Sequence, residues 1–499
     1  MGIIKRQAIK QSIVNYLGVG IGAISTILIY PLARDTYGLA RFLIDTGTLI
    51  APFLLVGFGG VTIKFFNEFK TADNRNNGLL PLVLAIPLLS SLLFVGLSYL
   101  FRSTIASVFS HNDDHTLQYL FFVIPIAICL AFFQLLYNYS TNYGRIAIPA
   151  IFQNFIKVVL PLAILLLAWK TISLDVLVWS IVGNYVVALL AIMAYLYYQQ
   201  QFKLHSNWSF LTKERRKRLM SYALFGLFGG IGSVLAFRID SVMITTLLNS
   251  TDNGDFGIAA FIGNAIAIPT NAVNQISSPI LSKAIQEKKI GEVNKIYKEA
   301  SVNLLLVGLL LFLFVACSVE SLFHLMPSSS ELSSNPALIE RGVYIVLLVG
   351  LARIIDMGTS VNNPIINFSP YYRFGLYAIL ALGIFNIFTN LFFIKILDMG
   401  IVGVAMATLV ALTLYNLIKL IFIYRKFGIQ PFSWLTLKLL AIAGLAFLAG
   451  YFWPSSNNSL LDIILRSSVV VVIYLPLVIY FRISEDLNDL LFDFWKKRS

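Results

Sequence analysis

The sequence predicts an all-α polytopic membrane protein with about fourteen transmembrane helices, and three observations support this fold class. Of the 499 residues, 58% are hydrophobic and only 12% are charged, and the mean hydropathy is +0.81. A soluble domain carries about 25% charged residues. Apolar stretches of the length that crosses a bilayer recur along the whole chain. Basic residues concentrate in alternate connecting loops, the pattern that sets the orientation of membrane proteins.

Fourteen stretches are long and apolar enough to cross a membrane, since a span needs ~20 mainly apolar residues. The first apolar run extends to Tyr30 without a small-residue cleavage site, so it is interpreted as a span and not as a cleavable signal. The predicted spans are 11–33, 42–66, 79–101, 116–138, 148–169, 175–198, 221–248, 256–281, 300–320, 342–366, 373–396, 401–424, 434–453 and 460–482.

The distribution of positive charge predicts that both termini are cytoplasmic. With the N-terminus inside, 26 of the 37 lysines and arginines fall in inside segments and 7 in outside segments. The remaining four, Lys157, Arg238, Arg353 and Lys419, lie deeper in spans. The formal net charge of +13 therefore reflects topology and attraction to anionic lipid. Nucleic-acid binding is not needed to explain it.

A weak internal repeat predicts two sets of six helices followed by two more. The second span of each set begins with an aromatic residue and a glycine and carries a proline near its middle. These residues are Tyr37, Gly38 and Pro52 in the first set and Phe256, Gly257 and Pro269 in the second. The predicted divisions are an N-terminal six-helix lobe at 1–198, a basic cytoplasmic linker at 199–220, a C-terminal six-helix lobe at 221–424, and helices 13 and 14 with a cytoplasmic tail at 425–499.

The linker 199–220 has two interpretations. Trp208, Phe210 and Leu211 lie next to the basic run KERRKR, which is typical of a short segment lying in the inner membrane interface. The other interpretation is a solvated linker whose charges stop transfer.

The sequence contains no pattern that favours an enzyme. It lacks a GxxxxGK[ST] phosphate-binding loop and an HExxH metal motif. All four histidines fall in predicted loops. The two cysteines, Cys129 and Cys317, lie in separate apolar runs and form neither a disulfide framework nor a metal spacing. No cofactor and no metal are therefore expected.

The tenth predicted span carries a polar stripe. Its members, which follow at steps of three and four residues, are Arg353, Asp356, Ser360, Asn363 and Asn367. Such steps stack side chains on one face of a helix. A charge at the bilayer centre costs at least ~2.5–3.5 kcal/mol, so this face is expected to meet other helices or a wet cavity. Either Arg353 and Asp356 neutralise each other, or they line a cavity.

Other charges lie in or beside spans. Arg238 and Asp240 are two residues apart and point to different sides of a helix, so at least one needs a partner on another helix. Arg238 either contributes to a cavity or snorkels to the outer interface. Lys157 lies about two and a half turns into span 5, where snorkelling is difficult. Lys64 and Lys419, in contrast, are expected to snorkel to the inner interface.

Further polar groups complete the set. Arg34 ends span 1 at the predicted outer mouth, and Arg41 and Asp45 are expected to form an interfacial i, i+4 pair. One side of span 8 is polar, either as a cavity lining or as hydrogen-bonding contacts between helices. Its residues are Asn264, Asn271, Asn274, Gln275 and Ser278. Cations and amides in a membrane interior suit a substrate head that carries phosphate and hydroxyl groups.

Four segments resemble the polysaccharide-transporter branch of the multidrug/oligosaccharidyl-lipid/polysaccharide (MOP) exporter superfamily. They are QSIVNYLGVGIGAISTILIYPLARDTYGLARFL, FRIDSVMI, DMGTSVNNPIINFSPYYR and FNIFTNLFFIKILDMGIVGVAMATLV. The resemblance implies two six-helix lobes around a central cavity, with helices 13 and 14 added in the flippase branch. It also implies that undecaprenyl-diphosphate-linked sugars are flipped across a bacterial inner membrane by alternating access. Arg34 and Arg238 match positions where such proteins carry cationic cavity residues.

The sequence thus predicts a lipid-linked oligosaccharide flippase for cell-surface polysaccharide or lipopolysaccharide biosynthesis, in the bacterial cytoplasmic membrane. The predicted cavity residues are Arg34, Lys157, Arg238, Asp240, Asn271, Gln275, Arg353, Asp356 and Asn363. The expected partners are a polyprenyl-diphosphate-linked glycan, membrane lipids, a polysaccharide polymerase and glycosyltransferases. A small-molecule or drug antiporter is the alternative within transport. A membrane scaffold without a cavity is a third class, against which the charged stripes speak.

Overall fold

The computed structural model describes residues 2–109, 114–205, 207–484 and 488. Within these residues every regular element is a helix. The prediction of an all-α polytopic membrane protein is confirmed. By contacts the chain divides into two compact units, residues 1–257 and 258–499. The predicted domain boundaries stay a prediction.

Besides a short helix at Arg102–Val108, the described part of the first unit contains nine helices of seven residues or more, and a tenth begins in it. They are α1 (Gly2–Leu28), α2 (Arg34–Leu55), α3 (Phe58–Lys64), α4 (Leu79–Leu100), α5 (Val123–Thr141), α6 (Ala147–Asn154), α7 (Ile156–Ala168), α8 (Leu174–Tyr198), α9 (Lys213–Leu247) and the start of α10 (Ser250–Ala265).

The second unit continues with eight helices of this size. They are α11 (Ile268–Gln286), α12 (Ile290–His324), α13 (Pro336–Gly358), α14 (Asn362–Phe368), α15 (Tyr372–Leu391), α16 (Gly400–Phe427), α17 (Trp434–Tyr451) and α18 (Ser459–Tyr480).

The helices agree with the predicted spans. Among the described residues, eleven helices are long and apolar enough to cross a membrane, and the pair α10 and α11, bent by 46°, makes up to twelve. The two other predicted spans coincide with α1, whose apolar part Ile13–Leu28 is short, and with α13, which carries charged residues. Each predicted span therefore coincides with a helix or a broken pair of helices.

Two glycines let α2 and α10 approach each other within the first unit. A Cβ added at Gly38 would lie 1.7 Å from the backbone oxygen of Ser250, and one at Gly254 would lie 2.0 Å from that of Arg34. Only glycine permits so close an approach of two helix backbones. The crossing aligns the start of α2 with the start of α10, where several charged residues are concentrated.

The linker packs on the protein. Leu211 is buried in the apolar core of the first unit, and the ring of Phe210 lies 5.0 Å from that of Phe69. Lys203 Nζ donates to the carbonyl of Asp73 at 2.9 Å. Outside the membrane spans, hydrogen bonds from the Thr71 hydroxyl and a backbone N–H lower the pKa of the Asp73 carboxyl. These contacts favour a docked segment over a fully solvated linker.

An arginine joins the last two helices to the rest of the second unit. Arg466 on α18 donates from Nη1 to the carbonyls of Tyr451 at 3.0 Å and of Gly450 and Cys317 at 3.4 Å. Its Nε lies 2.9 Å from Asp462 Oδ2, which also accepts from the Ser321 hydroxyl at 2.6 Å. The helices α17 and α18 therefore belong to the core of this unit, together with α12.

The tenth span is interrupted, in contrast to the continuous helix expected from the sequence. Its first part, α13, ends at Gly358, and α14 begins at Asn362 with Pro364 in its first turn. A proline at the start of a helix needs no N–H partner, whereas it disfavours helical geometry in the residue before it. The polar stripe thus extends over two helices, with Arg353 and Asp356 on α13 and Asn363 on α14.

Candidate functional site

A buried carboxylate on α2 bridges two arginines in the first unit. Asp45 is 3% exposed, and its Oδ1 accepts from Arg238 Nη1 at 2.7 Å. Its Oδ2 lies 3.4 Å from Arg41 Nε on the same helix. Arg238 therefore has a partner on another helix, as expected for at least one of Arg238 and Asp240. The Arg41–Asp45 pair is present as expected, but it is part of a larger cluster.

The depth of this contact argues against snorkelling of Arg238. At 1.5 Å per residue, Asp45 lies about 16 Å from Arg34 along α2. That is near the middle of a hydrocarbon core of ~30 Å if Arg34 marks one boundary. The Arg238 side chain is 51% exposed while it binds Asp45. A guanidinium exposed at such a depth is expected to meet water or a polar ligand, since lipid tails would leave its remaining donors unpaired.

Arg34 is also paired within the first unit. Its Nη1 donates to both oxygens of Asp255, at 2.8 and 3.0 Å. Asn253, fully buried nearby on α10, donates to the carbonyl of Gly38 and to the hydroxyl of Ser241, both at 2.9 Å. Arg41 Nη1 donates to the backbone oxygen of Asn253 at 3.0 Å. Arg34, Arg41, Asp45, Arg238, Asn253 and Asp255 together are called the charged cluster below.

Lys157 lies apart from the charged cluster, in the first turn of α7. A Cβ added at Gly18 of α1 would lie 3.2 Å from Lys157 Nζ and 3.0 Å from Asn154 Oδ1. Asn154 in turn donates to Asn15 Oδ1 at 3.3 Å. In the part of the chain that the structure describes, Lys157 forms no ion pair. Lys157 is half-buried, and its ammonium and the Asn154 amide lie beside the same point on α1.

In the second unit, two charges of the polar stripe are bound by amides on other helices. Arg353 Nε donates to Asn264 Oδ1 at 2.6 Å. Asp356 Oδ1 accepts from Asn416 Nδ2 of α16 at 3.0 Å. Neighbouring helices thus contribute to binding both groups, as an intramembrane polar interior requires.

Lys419 does not snorkel, in contrast to the prediction. It is 2% exposed, and its Nζ donates to Asn363 Oδ1 at 3.1 Å. The ammonium also lies 3.8 Å from the centre of the Tyr415 ring, a cation–π contact. The prediction was wrong because Asn363 of α14 lies beside α16, where it accepts a hydrogen bond from the ammonium.

Asp240, Asn271 and Gln275 complete the predicted set. Asp240 is half-buried on α9, one residue past Ile239 and two past Arg238. Asn271 and Gln275 lie one turn apart on an exposed face of α11. Exposed amides on a membrane helix suit a cavity lining better than contacts between packed helices. Their role in binding substrate stays a prediction.

Sequence reasoning missed several of the residues that hold these charges. Three of them, Asn253, Asp255 and Asn416, had no distinguishing spacing, since each becomes significant only through a helix far away in the chain. Tyr415 is different, because it precedes Lys419 by four residues on α16 and helical spacing could have indicated their contact. Asn264 was recognised as polar but not as the acceptor of Arg353. Among the described residues, no group of three or more histidine, cysteine, aspartate or glutamate side chains could hold a metal ion.

Comparison with known families identifies the chain. A profile of the family described as "Polysaccharide biosynthesis protein" matches residues 6–284, more than half of its length. The chain belongs to this polysaccharide biosynthesis protein family. The resemblance to the polysaccharide branch of the MOP superfamily is thereby confirmed. Among curated protein sequences none matches significantly.

Solved structures with the same fold are transporters. A structure described as "Lipid II flippase MurJ, inward closed conformation" matches with a TM-score of 0.70 at 15% identity, covering 95% of this chain and 99% of that one. An inward-facing multidrug resistance MATE transporter of the MOP superfamily gives 0.60 at 14% identity, covering 84% and 94%. A MATE transporter from Vibrio cholerae gives 0.52 at 15% identity, covering 85% and 98%.

These matches establish the fold. The MurJ match covers all but 5% of the present chain, which is about 25 residues. The region 425–499 has 75 residues, so the uncovered part is too small to contain all of it. The match therefore includes part of the region that contains α17 and α18. The protein is a multi-pass membrane protein with the fold shared by MOP-type flippases and transporters.

Proposed function

We propose that this protein flips a polyprenyl-diphosphate-linked oligosaccharide across a bacterial cytoplasmic membrane for cell-surface polysaccharide biosynthesis, by alternating access. Its family and the flippase and transporter fold support transport of this general kind. The substrate class rests on one observation above all. In the first unit, a membrane span carries the half-buried ammonium of Lys157 near the Asn154 amide, with no ion-pair partner among the described residues.

An ammonium without an anionic partner in a membrane interior favours an anionic ligand. A diphosphate supplies oxygens that accept charge-assisted hydrogen bonds from lysine and arginine. Arg238 supports the same substrate class, because one nitrogen binds Asp45 while half of the side chain stays exposed. Amides such as Asn271 and Gln275 suit the hydroxyls of a sugar. Both termini are proposed to be cytoplasmic, as the charge distribution predicts.

The decisive experiment measures flipping directly. The purified protein is reconstituted in proteoliposomes with a polyprenyl-diphosphate-linked oligosaccharide that carries a fluorescent label. Dithionite, which does not cross the bilayer, quenches labels in the outer leaflet only. Flipping moves labelled lipid between the two leaflets, so the quenched fraction of the label rises from about one half toward completion. Quenching that stops at one half, with protein of correct fold in the vesicles, would contradict the proposal.

A pair of variants tests the role of Lys157. Lys157→Met preserves the length and bulk of the side chain but removes the charge, so flipping should slow at least tenfold, the loss of one hydrogen bond to a charged group. Lys157→Arg keeps a cation and should retain most of the rate. Equal rates for both variants would exclude phosphate binding by Lys157 while leaving the flippase assignment intact.

The antiporter alternative predicts a different substrate. Vesicles that leave the labelled glycolipid in place but accumulate a fluorescent cationic drug under a proton or sodium gradient would favour it. The same preparation serves both assays, so the two functions are compared on one protein sample.

A further inference from the structure

The first unit contains a cavity beside the basic run that begins α9. Its volume is about 290 Å³. The walls come from α3, α4, the linker and α9. The lining residues are Phe58, Leu82, Ile86, Leu211, Arg216, Leu219 and Met220. Every lining side chain except that of Arg216 is apolar, so the cavity has the composition of a slot for a hydrocarbon chain with one cation in its wall.

Arg216 differs from the two arginines beside it. Arg215 donates to the carbonyl of Phe210 at 2.8 Å and stacks on its ring, with the guanidinium carbon 3.9 Å from the ring centre. Arg218 pairs with Glu68. In the described part of the chain, the Arg216 side chain has neither a hydrogen bond nor an ion pair. The side chains of Arg215 and Arg218 are thus bound within the protein, whereas the Arg216 guanidinium is available at the cavity.

The surroundings place this cavity where lipid is present. On α4, residues such as Leu88, Leu89 and Leu92 are more than half exposed, as expected for a helix face against lipid tails. Arg216 lies in the first turn of α9, within the run Lys213 to Arg218, which the positive-inside rule assigns to the cytoplasmic interface. We therefore expect the guanidinium at headgroup level, with the apolar lining residues of α4 on the side of the hydrocarbon core.

We infer that this cavity is a binding site for an anionic glycerophospholipid of the inner leaflet. The phosphate would accept hydrogen bonds from Arg216, and one acyl chain would fill the slot between α4 and α9. Basic pockets between membrane helices on the cytoplasmic side bind anionic headgroups in this way. The site is separate from the charged cluster and does not depend on which substrate the protein transports.

The lining favours a bilayer phospholipid over the proposed glycolipid substrate. A sugar needs amide, carboxylate or hydroxyl partners, and the described lining residues offer none. A phosphodiester with a small headgroup needs only a cation for its charge and an apolar surface for its chain. Such a lipid would fasten the linker to α4, because Leu211 and Leu82 lie on different walls of the same slot.

Native mass spectrometry of the purified full-length protein tests the inference. Phosphatidylglycerol is added in one series and phosphatidylethanolamine in another, at matched chain lengths. The wild type should retain one phosphatidylglycerol with at least tenfold preference over phosphatidylethanolamine. The headgroup ammonium of phosphatidylethanolamine neutralises its phosphate, whereas phosphatidylglycerol carries a net negative charge. Arg216→Ala should weaken this binding about tenfold, as expected for the loss of hydrogen bonds to a charged group.

Two variants separate a specific site from general attraction. Lys217→Ala removes the same charge one residue away and outside the lining, so binding should be retained. Met220→Trp fills the slot from an exposed position without changing charge, so binding should be lost while size-exclusion elution stays unchanged. Equal weakening by Arg216→Ala and Lys217→Ala would overturn the inference in favour of general electrostatic attraction. Preferential displacement by an added polyprenyl diphosphate would also overturn it, by assigning the site to the transported lipid.

Discussion

The Nη1 atom of Arg238 on α9 lies 2.7 Å from Oδ1 of Asp45 on α2, and this contact joins two helices that are far apart in sequence. The other oxygen of the carboxylate lies 3.4 Å from Arg41 Nε. The single negative charge of the buried Asp45 carboxylate is therefore shared between two guanidinium groups. Its removal leaves two guanidinium groups close together in a membrane interior.

Asp45→Asn should therefore lower stability markedly. Breaking a buried ion pair by removing one partner costs 3–5 kcal/mol, and we expect about 3 kcal/mol here because Arg238 is half exposed. The measurement is the thermal unfolding midpoint in detergent. Adding Arg238→Gln to Asp45→Asn should recover part of the loss, since the second guanidinium is then gone. Strictly additive effects of the two changes would mean that the contact is not energetically coupled.

Gly38→Ala should separate α2 from α10. Its new methyl group would lie 1.7 Å from the backbone oxygen of Ser250, and a backbone atom cannot move aside as a side chain can. Overpacking costs about 1–3 kcal/mol or more, so the unfolding midpoint should fall. Gly183→Ala on α8 is the matched control, because no atom lies within 4 Å of the added Cβ. Alanine there should be neutral or stabilising by up to about 1 kcal/mol.

Lys419→Met and Lys419→Glu should differ strongly. Methionine keeps an unbranched apolar stem of similar volume, and a buried charge replaced by a well-packed apolar group is often tolerated. Glutamate would instead place a carboxylate against the Oδ1 of Asn363 and in the region of Asp356. We expect Lys419→Met to give folded protein in the membrane and Lys419→Glu to give little. Fluorescence-detected size-exclusion chromatography measures both, and equal yields would contradict the buried position.

Arg466→Lys should destabilise the second unit although it keeps the charge. The guanidinium contacts three backbone carbonyls and Asp462 at once, which a lysine ammonium on a single stem cannot reproduce. The expected cost is about 1–3 kcal/mol, the range for buried groups left without a partner. Arg102→Lys, at an exposed arginine, is the control and should leave the unfolding midpoint unchanged. A similar midpoint for both variants would argue against a stabilising role of the Arg466 contacts.

The fold was predictable from the sequence because spans depend on local properties. Length and hydropathy locate each helix, and the bilayer permits few alternatives to a helix. The break after Gly358 was harder to anticipate. Pro364 is six residues further on and sits in the first turn of the new helix, so it gave no direct sign of where α13 ends.

The candidate site was predictable only in part. The pair Arg41 and Asp45 follows from helical spacing. The need of Arg238 or Asp240 for a partner on another helix follows from their separation by two residues. The identity of that partner depends on which helices pack together, and the local sequence does not encode this choice. Lys419 illustrates the same limit. Its place near a helix end suggested snorkelling, whereas the fold of α14 brings an amide to it.

The long sequence separation of the paired charges has a consequence for biogenesis. Asp45 is synthesised 193 residues before Arg238, and Arg34 is synthesised 221 residues before Asp255. At 5–20 residues per second, a ribosome needs about 10 to 40 s to produce the missing partners. During this interval α2 enters the membrane with its charges incompletely matched. Arg41 lies only one helical turn from Asp45 and is the partner already available on the nascent helix. We expect Arg41 to act as the counter-ion of Asp45 until α9 enters the membrane.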